Sequence, residues 1–222
     1  MPIQIQGSAG GLIDVNGTTF DAVCVTMRPV DYGFLGQYSI SMLTGTMAAG
    51  IADFSTIFYA RWTATPQIAL VWGVALNGVV GGLTGFTAGY GYFGLRVLRN
   101  MAVDGSGGAL AVLTGNSQNL RSSMAPSKMG TIRMSTTAAL TLDVSSGDAQ
   151  GIGQTYFGLG TATSVTYVKQ IGLYGSATLE DGGNPAPVVL AQNEGVLVSV
   201  RMPATGTWAT GVNMSWSEVD SY

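Results

Sequence analysis

Histidine is absent from this chain of 222 residues, and charge is scarce, with nine Lys or Arg and twelve Asp or Glu. Histidine is the side chain whose unperturbed pKa lies near neutrality, and most catalytic and metal sites use titratable groups. The charged share is 9%, against about 25% in soluble domains. The composition therefore predicts a protein that is not an enzyme and that binds neither a cofactor nor a metal.

The few charged residues are scattered, and no run of either sign occurs. A nucleic-acid groove normally contains clustered Lys and Arg, so we expect no nucleic-acid partner. A single cysteine, Cys24, excludes an intrachain disulfide, and we interpret it as a small buried apolar residue. The first six residues, MPIQIQ, contain no basic n-region and no apolar h-region. We therefore expect synthesis in the cytoplasm without a signal peptide.

One uncharged stretch, residues 62–95, raises the question of a membrane helix. Residues 68–86 are mostly apolar and long enough to span a bilayer. Five glycines within them disfavour a helix, and Asn77-Gly78 between apolar runs is typical of a hairpin turn. We therefore predict two buried strands, 67–76 and 79 to about 84, joined by that turn, and no membrane partner.

Glycine and the hydroxyl residues are abundant where charged residues are few, with 33 Gly, 23 Thr and 18 Ser. Thr suits pleated strands and Gly suits tight turns, so the composition favours β-structure. No segment sustains a helical period. The sequence therefore predicts an all-β fold, a β-sandwich of jelly-roll-like type. We expect one domain over residues 1–222, with a short N-terminal hairpin or arm at about 1–30.

Apolar residues that alternate with a period of two predict the individual strands. In residues 54–62, one predicted face carries Phe54, Thr56, Phe58, Ala60 and Trp62, and Ile57 is the apolar exception on the other face. Residues 196–202 and 208–217 alternate likewise, and the turn at 203–206 between them predicts a C-terminal hairpin with inward tryptophans. Other strands are predicted at 37–44, 94–99, 109–113, 131–142 and 165–174, with a short hairpin at 12–20 that turns at Asn16-Gly17.

Three motif-like groups carry little weight. Residues 89–94, GYGYFG, match the dinucleotide pattern GxGxxG, but a glycine-rich chain matches it by chance and no helical pattern follows. Two acidic pairs, Asp143 with Asp148 and Glu180 with Asp181, have the residue types of a glycosidase site. Nothing in the sequence brings either pair together.

Two segments are candidates for interaction. The polar segment 114–130 holds Arg121 and Lys128, two of the nine basic residues, and Met124, whose flexible side chain suits contact surfaces. It is interpreted either as a contact for a partner or an anionic ligand, or as a solvated loop. The second candidate is the aromatic group Tyr90, Tyr92 and Phe93, a platform suited to carbohydrate.

A surface this poor in charge is expected to be covered by other subunits or to consist of hydroxyl and amide groups. We therefore predict a homo-oligomer. Two runs, GSAGGLIDVNGTTFDAVCVTMRPVDYGFLGQYSISMLTGTMAAGIADFSTIFYARWT and PVVLAQNEGVLVSVRMPATGTWATGVNMSWSEV, resemble a group of uncharacterised proteins encoded in the structural gene neighbourhoods of tailed bacteriophages.

The resemblance implies a virion component, either a capsid decoration or minor head protein or a tail appendage, with a jelly-roll-like sandwich fold. Its partners would be copies of itself and other virion proteins. Two alternatives stay open. One is a tail appendage that binds a receptor or a carbohydrate, such as a host-surface glycan. The other is an outer-membrane β-barrel, which the low charge and many strands also fit.

Overall fold

A computed structural model describes residues 5–6, 12–13, 35–48, 50–81, 85–113, 115, 118–120, 124–142, 151–159, 166–174 and 187–220. The chain divides into two compact units, Met1–Asp31 and Tyr32–Tyr222. In the first unit, β1 (Ile5–Gln6) pairs antiparallel with β2 (Leu12–Ile13), with Ile5 opposite Ile13. Residues 12–13, which precede the predicted turn at Asn16-Gly17, thus pair with residues 5–6, which precede them in the chain. Asn16-Gly17 and Cys24 lie outside the described residues.

All regular structure described in the second unit is β-strand. The strands are β3 (Gly36–Leu43), β4 (Ser55–Trp62), β5 (Ile68–Gly81), β6 (Gly89–Leu98), β7 (Ala109–Leu110), β8 (Met129–Met134), β9 (Gly153–Leu159), β10 (Thr166–Tyr174), β11 (Val188–Leu190), β12 (Gly195–Arg201) and β13 (Trp208–Val219). The sequence predicted neither β9 nor β11. The predicted strand at 131–142 ends at Met134, and the one at 109–113 ends at Leu110.

These strands form two antiparallel sheets packed as a sandwich. The five-stranded sheet has the order β10-β5-β13-β3, with β11 also paired to β5, and the six-stranded sheet has the order β7-β8-β4-β12-β6-β9. Strands β3 to β6 alternate between the two sheets along the chain, as do β12 and β13. The predicted all-β sandwich is therefore confirmed.

The core lies between the two inner sheet faces. Phe93 on β6 meets Trp208 on β13 edge to face, with ring centroids 6.1 Å apart, so aromatic packing joins the sheets. Alternate apolar residues complete this core, among them Phe58, Trp62, Val71, Leu76, Leu95, Ile132, Val198, Val212, Met214 and Trp216.

The predicted C-terminal hairpin is wrong. β12 pairs with β4 and β6 in the six-stranded sheet, whereas β13 pairs with β3 and β5 in the other. The turn at 203–206 carries the chain from one sheet to the other. Both strands have one apolar face, and in opposite sheets these faces cover each other, whereas a hairpin would leave both on the same side. The alternation itself is confirmed, because Trp208 and Trp216 are both buried.

The predicted turn at Asn77-Gly78 is also wrong. β5 runs unbroken through these residues, and Gly78 is skipped in the pairing with β13 and with β10, which marks a β-bulge. The long pairing of β5 with β13 outweighs the local turn preference. Asn213 Nδ2 donates a hydrogen bond to Asn77 Oδ1 at 3.0 Å, so the Asn77 side chain links β5 to β13. No helix in the described part of the chain is long and apolar enough to cross a bilayer.

A second bulge explains the exception at Ile57. In the pairing of β4 with β12, Phe58 faces Val198 and Thr56 faces Ser199, so Ile57 has no partner. The bulge reverses the alternation: Phe58 and later even-numbered residues face the core, whereas Phe54 and Thr56 do not. Phe54, predicted to face the core, is instead exposed.

Candidate functional site

The chain's own loops cover one half of the outer face of the six-stranded sheet. Tyr59 on β4, Leu98 on β6 and Leu197 on β12 pack beneath Met101 and Leu140, and all five are buried. β4 is therefore buried on both faces, although alternation of the kind seen in residues 54–62 predicts a strand with one buried face.

Arg61 holds these covering loops in place. Its guanidinium donates hydrogen bonds to Asp104 Oδ1 at 2.6 Å, Ala102 O at 2.9 Å and Asn193 Oδ1 at 2.8 Å. Asp104 Oδ2 accepts a further bond from Thr131 Oγ1 at 2.8 Å. Burial alone would raise the pKa of Asp104, but the bonds from Arg61 and Thr131 outweigh it, and the net pKa lies below its usual value.

The other half of this face carries four aromatic rings. Three of them form a group that we call the aromatic row: Tyr156 on β9, Tyr92 on β6, and Phe54 just before β4. The fourth, Tyr90 on β6, lies beside the row, 6.4 Å from Tyr156 between ring centroids. Tyr92 lies 5.0 Å from Tyr156 and 5.5 Å from Phe54 between ring centroids. Phe54 and Tyr156 are 48% and 59% exposed, so the described residues leave much of the row open to solvent.

Strand register produces the row. Tyr156 is the direct cross-strand partner of Tyr92, and Tyr92 that of Arg201 on β12. The Tyr92 ring lies over Gly94, where an added Cβ would come 2.0 Å from the Tyr92 hydroxyl oxygen. Phe54 joins the row because of the bulge at Ile57 and because its φ of 62° turns the backbone into the left-handed region. That region is unusual for a bulky residue and costs on the order of 1–3 kcal/mol.

Two arginines flank the rings. The Arg96 guanidinium carbon lies 5.3 Å from the Phe54 ring centroid, and that of Arg201 lies 4.7 Å from the centroid of Tyr90. Both distances suit cation–π attraction. Arg201 also pairs with Asp53, with 3.1 Å between Nε and Oδ2, and donates a hydrogen bond to the Tyr90 hydroxyl.

A cleft of about 420 Å³ opens beside Tyr90, at the end of β12. Its lining includes Gly50, Asp53, Tyr90, Arg201 and Pro203. The volume lies within the range of small-molecule sites, about 300–1,000 Å³.

The structure separates the three aromatic candidates predicted from the sequence. Phe93 is fully buried in the core and cannot take part in a surface platform. Tyr92 is mostly buried but forms the centre of the aromatic row, and Tyr90 is 48% exposed at the cleft. They diverge because the side chains of Tyr92 and Phe93, adjacent in a strand, point to opposite faces.

The described part of segment 114–130 is anchored to the five-stranded sheet. Residues 118–120 hydrogen-bond to the edge strand β3, and Met124 Sδ accepts a hydrogen bond from the Gln37 backbone N–H at 3.2 Å. Lys128 is exposed, but its backbone N–H donates to both carboxylate oxygens of Glu218, at 2.9 and 3.0 Å. Arg121 lies outside the described residues. These contacts give Met124 and Lys128 a structural role at the sheet edge.

Two buried titratable groups fix this anchor. Glu218 also accepts hydrogen bonds from Ser127 Oγ at 2.6 Å and Trp216 Nε1 at 3.2 Å, but burial outweighs these bonds and raises its pKa. Tyr38 stacks on Trp216 with 5.5 Å between centroids and donates to Ala125 O at 2.9 Å. Burial, with a smaller contribution from the Glu218 charge, raises the pKa of Tyr38 to about 12.

The outer face of the five-stranded sheet differs in chemistry from the aromatic row. Hydroxyl and amide side chains occupy its central positions, among them Ser39, Ser41, Asn77, Asn213 and Ser215. This face is thus largely polar and uncharged, although Leu43 on β3 is 71% exposed there.

Sequence reasoning missed Tyr156, Phe54, Asp53 and Arg201 as site residues. Residues 153–159 alternate Gln154, Tyr156 and Gly158 with Thr155, Phe157 and Leu159, a signal that could have identified β9. The position of Phe54 on the outer face could have been inferred from the apolar exception at Ile57, because that exception marks the bulge that reverses the alternation. Asp53 and Arg201 have no local signal, because they meet only through long-range pairing.

No protein-family model matches the chain, and no match to a curated protein was found. Across the described ranges, no group of three or more Cys, Asp or Glu side chains is placed to hold a metal ion.

Proposed function

We propose that this chain is a non-enzymatic structural protein of a tailed-bacteriophage particle, of the capsid decoration or minor head type, that assembles with copies of itself. The resemblance of its two terminal segments to phage structural proteins supports the virion context. We interpret the alternation of strands between the two sheets as jelly-roll-like, which supports the proposal by analogy, because jelly rolls occur in viral capsids. The same fold serves lectins, so the argument for assembly depends on the surface.

The aromatic row is the observation that carries the proposal. Tyr and Arg are enriched in the energetically dominant positions of protein interfaces. The row contains two tyrosines and a phenylalanine beside Arg96, on a sheet face whose other half is already covered by the chain's own loops. A neighbouring subunit would complete this cover.

We assign the covering subunit to a second copy of the chain. The surface offers the aromatic rings of the row together with the Arg96 guanidinium. Two copies related by a two-fold axis can therefore present aromatic groups and guanidinium to one another. Its outermost ring, Tyr156, lies on β9, the last strand in the order of the described sheet. A second copy can therefore approach from this side of the sandwich.

Sedimentation velocity over a range of concentrations tests the proposal. Wild-type protein is expected to self-associate, and Tyr156→Ala is expected to weaken association about tenfold or more. Val112→Ala is the matched control, because Val112 is a similarly exposed apolar residue outside the row. A wild-type monomer at all concentrations, or a Tyr156→Ala variant that associates like wild type, would contradict the proposal.

A further inference from the structure

The cleft beside Tyr90 lies next to the aromatic row but has a different chemical character. It forms where the chain leaves β12 at Met202 and Pro203 and crosses towards the other sheet. Self-association through the row does not account for its charged and hydroxyl-bearing lining.

The polar groups of the cleft are held in a fixed arrangement. Arg201 binds the Asp53 carboxylate through Nε at 3.1 Å and the Tyr90 hydroxyl through Nη1. Its guanidinium also lies over the Tyr90 ring, 4.7 Å from the centroid. One carboxylate, one guanidinium and one phenol are therefore presented together, and the two formal charges compensate each other.

Backbone geometry shapes the rest of the cleft. Gly89 lies beside Pro203, and an added Cβ there would be in ordinary contact with the proline Cγ at 3.4 Å. Thr205 Oγ1 accepts a hydrogen bond from the Thr87 backbone N–H at 2.8 Å and lies 3.0 Å from Thr87 Oγ1, which ties the β6 side of the cleft to the crossover segment.

We propose that this cleft binds a neutral pyranose unit of a glycan. A carboxylate accepts hydrogen bonds from sugar hydroxyls and a guanidinium donates to them, and both bonds are charge-assisted. The face of the Tyr90 ring that Arg201 does not cover suits the C–H bonds on the apolar face of a pyranose ring. Because Asp53 and Arg201 compensate each other, the cleft favours an uncharged ligand over an ionic one.

Saturation-transfer NMR with defined probes tests this inference. The probes are the methyl glycosides of glucose, galactose, mannose and N-acetylglucosamine, with the methyl glycoside of sialic acid as the anionic comparison. We expect transfer to the ring protons of at least one neutral glycoside. Tyr90→Ala and Asp53→Asn should each weaken that binding about tenfold. Tyr90→Phe should retain it, because the ring remains, and Val112→Ala serves as the control.

Absence of transfer to every neutral glycoside would overturn the inference, as would unchanged binding by Tyr90→Ala or binding of the sialoside alone. Sedimentation of the same variants separates this result from the proposed assembly. A Tyr90→Ala variant that loses self-association while wild type binds no glycoside would assign the cleft to a protein contact. Glycoside binding by a strictly monomeric wild type would support the cleft and contradict the assembly.

Discussion

Charged residues are few in this chain, and several of them hold loops in place through hydrogen bonds. Arg61 is buried and binds three acceptors from two loops, and Glu218 is fully buried and accepts from three residues around the 124–128 segment. Buried charges of this kind depend on their hydrogen bonds, because an unpaired buried charge costs several kcal/mol. A low charge content is thus compatible with specific electrostatic roles.

Glu218 makes the stability of the fold depend on pH in a defined direction. Burial raises its pKa in the folded chain above the ordinary value of 4.5, so as pH falls the native state takes up this proton before the unfolded state does. Its contribution to stability is therefore fully present below the ordinary pKa and is lost as pH rises through the raised value.

Urea unfolding of Glu218→Gln between about pH 7 and pH 5 checks this sign. At pH 7 the variant is expected to lose about 1–3 kcal/mol, because the amide places a donor against the Ser127 and Lys128 donors. The gap between wild type and variant should widen as pH falls. Asp220→Asn, which removes an exposed carboxylate two residues away, is the control. A gap that narrows towards pH 5 would contradict the assigned direction.

Among the elements, β6 presents residues to both of its faces in a way that links core and surface. Its inner face contributes Phe93 and Leu95 to the core, and its outer face carries Tyr90, Tyr92 and Arg96. Gly94 lies between Tyr92 and Arg96 on that outer face and makes room for the Tyr92 ring. The glycine content of this strand is therefore a condition for the aromatic row, and the GxGxxG match at 89–94 is part of an antiparallel strand.

Gly94→Ala is expected to displace the Tyr92 ring, because the new Cβ would lie 2.0 Å from its hydroxyl oxygen and 2.6 Å from its Cζ. Overpacking of this kind typically costs about 1–3 kcal/mol. Thermal unfolding and near-UV circular dichroism should report lower stability and an altered tyrosine signal. Gly158→Ala on the neighbouring strand is the matched control, because no atom lies within 4 Å of its added Cβ. Equal behaviour of the two variants would show that Tyr92 does not depend on Gly94.

The sequence allowed the strand-forming segments and the fold class to be predicted, but not the places where strands bulge or change sheets. Apolar alternation identified β4, β12 and β13, since it depends on neighbouring residues alone. The predictions of a turn at Asn77-Gly78 and of a hairpin at 203–206 were wrong. Both depended on local turn preferences, which the long-range pairing of strands overrides. For the site, Tyr90 and Tyr92 could be predicted as candidate aromatics, although Tyr92 is mostly buried, whereas Asp53 and Arg201 are far apart in sequence and meet only in the fold.

At the scale of the whole molecule, the two sheets present outer faces of different chemistry. The five-stranded sheet presents mostly hydroxyl and amide groups with Leu43 exposed among them, and the six-stranded sheet presents the aromatic row and the cleft. With only nine basic and twelve acidic residues and a net charge of −3, two copies repel each other weakly. Contact through the row therefore needs little electrostatic compensation.

The low net charge and the aromatic character of the proposed contact predict how assembly responds to concentration and salt. Because association stabilises only the folded chain, Tm should rise with protein concentration in wild type and much less in Tyr156→Ala. Salt between about 0.05 and 0.5 M should change the association constant little, since aromatic contacts are not screened as surface charges are. Differential scanning calorimetry and sedimentation at the same concentrations measure both effects. An association constant that falls steeply with salt would mean that Asp53, Arg96 or Arg201 pairs across the contact, and would move the interface from the rings to the charges beside them.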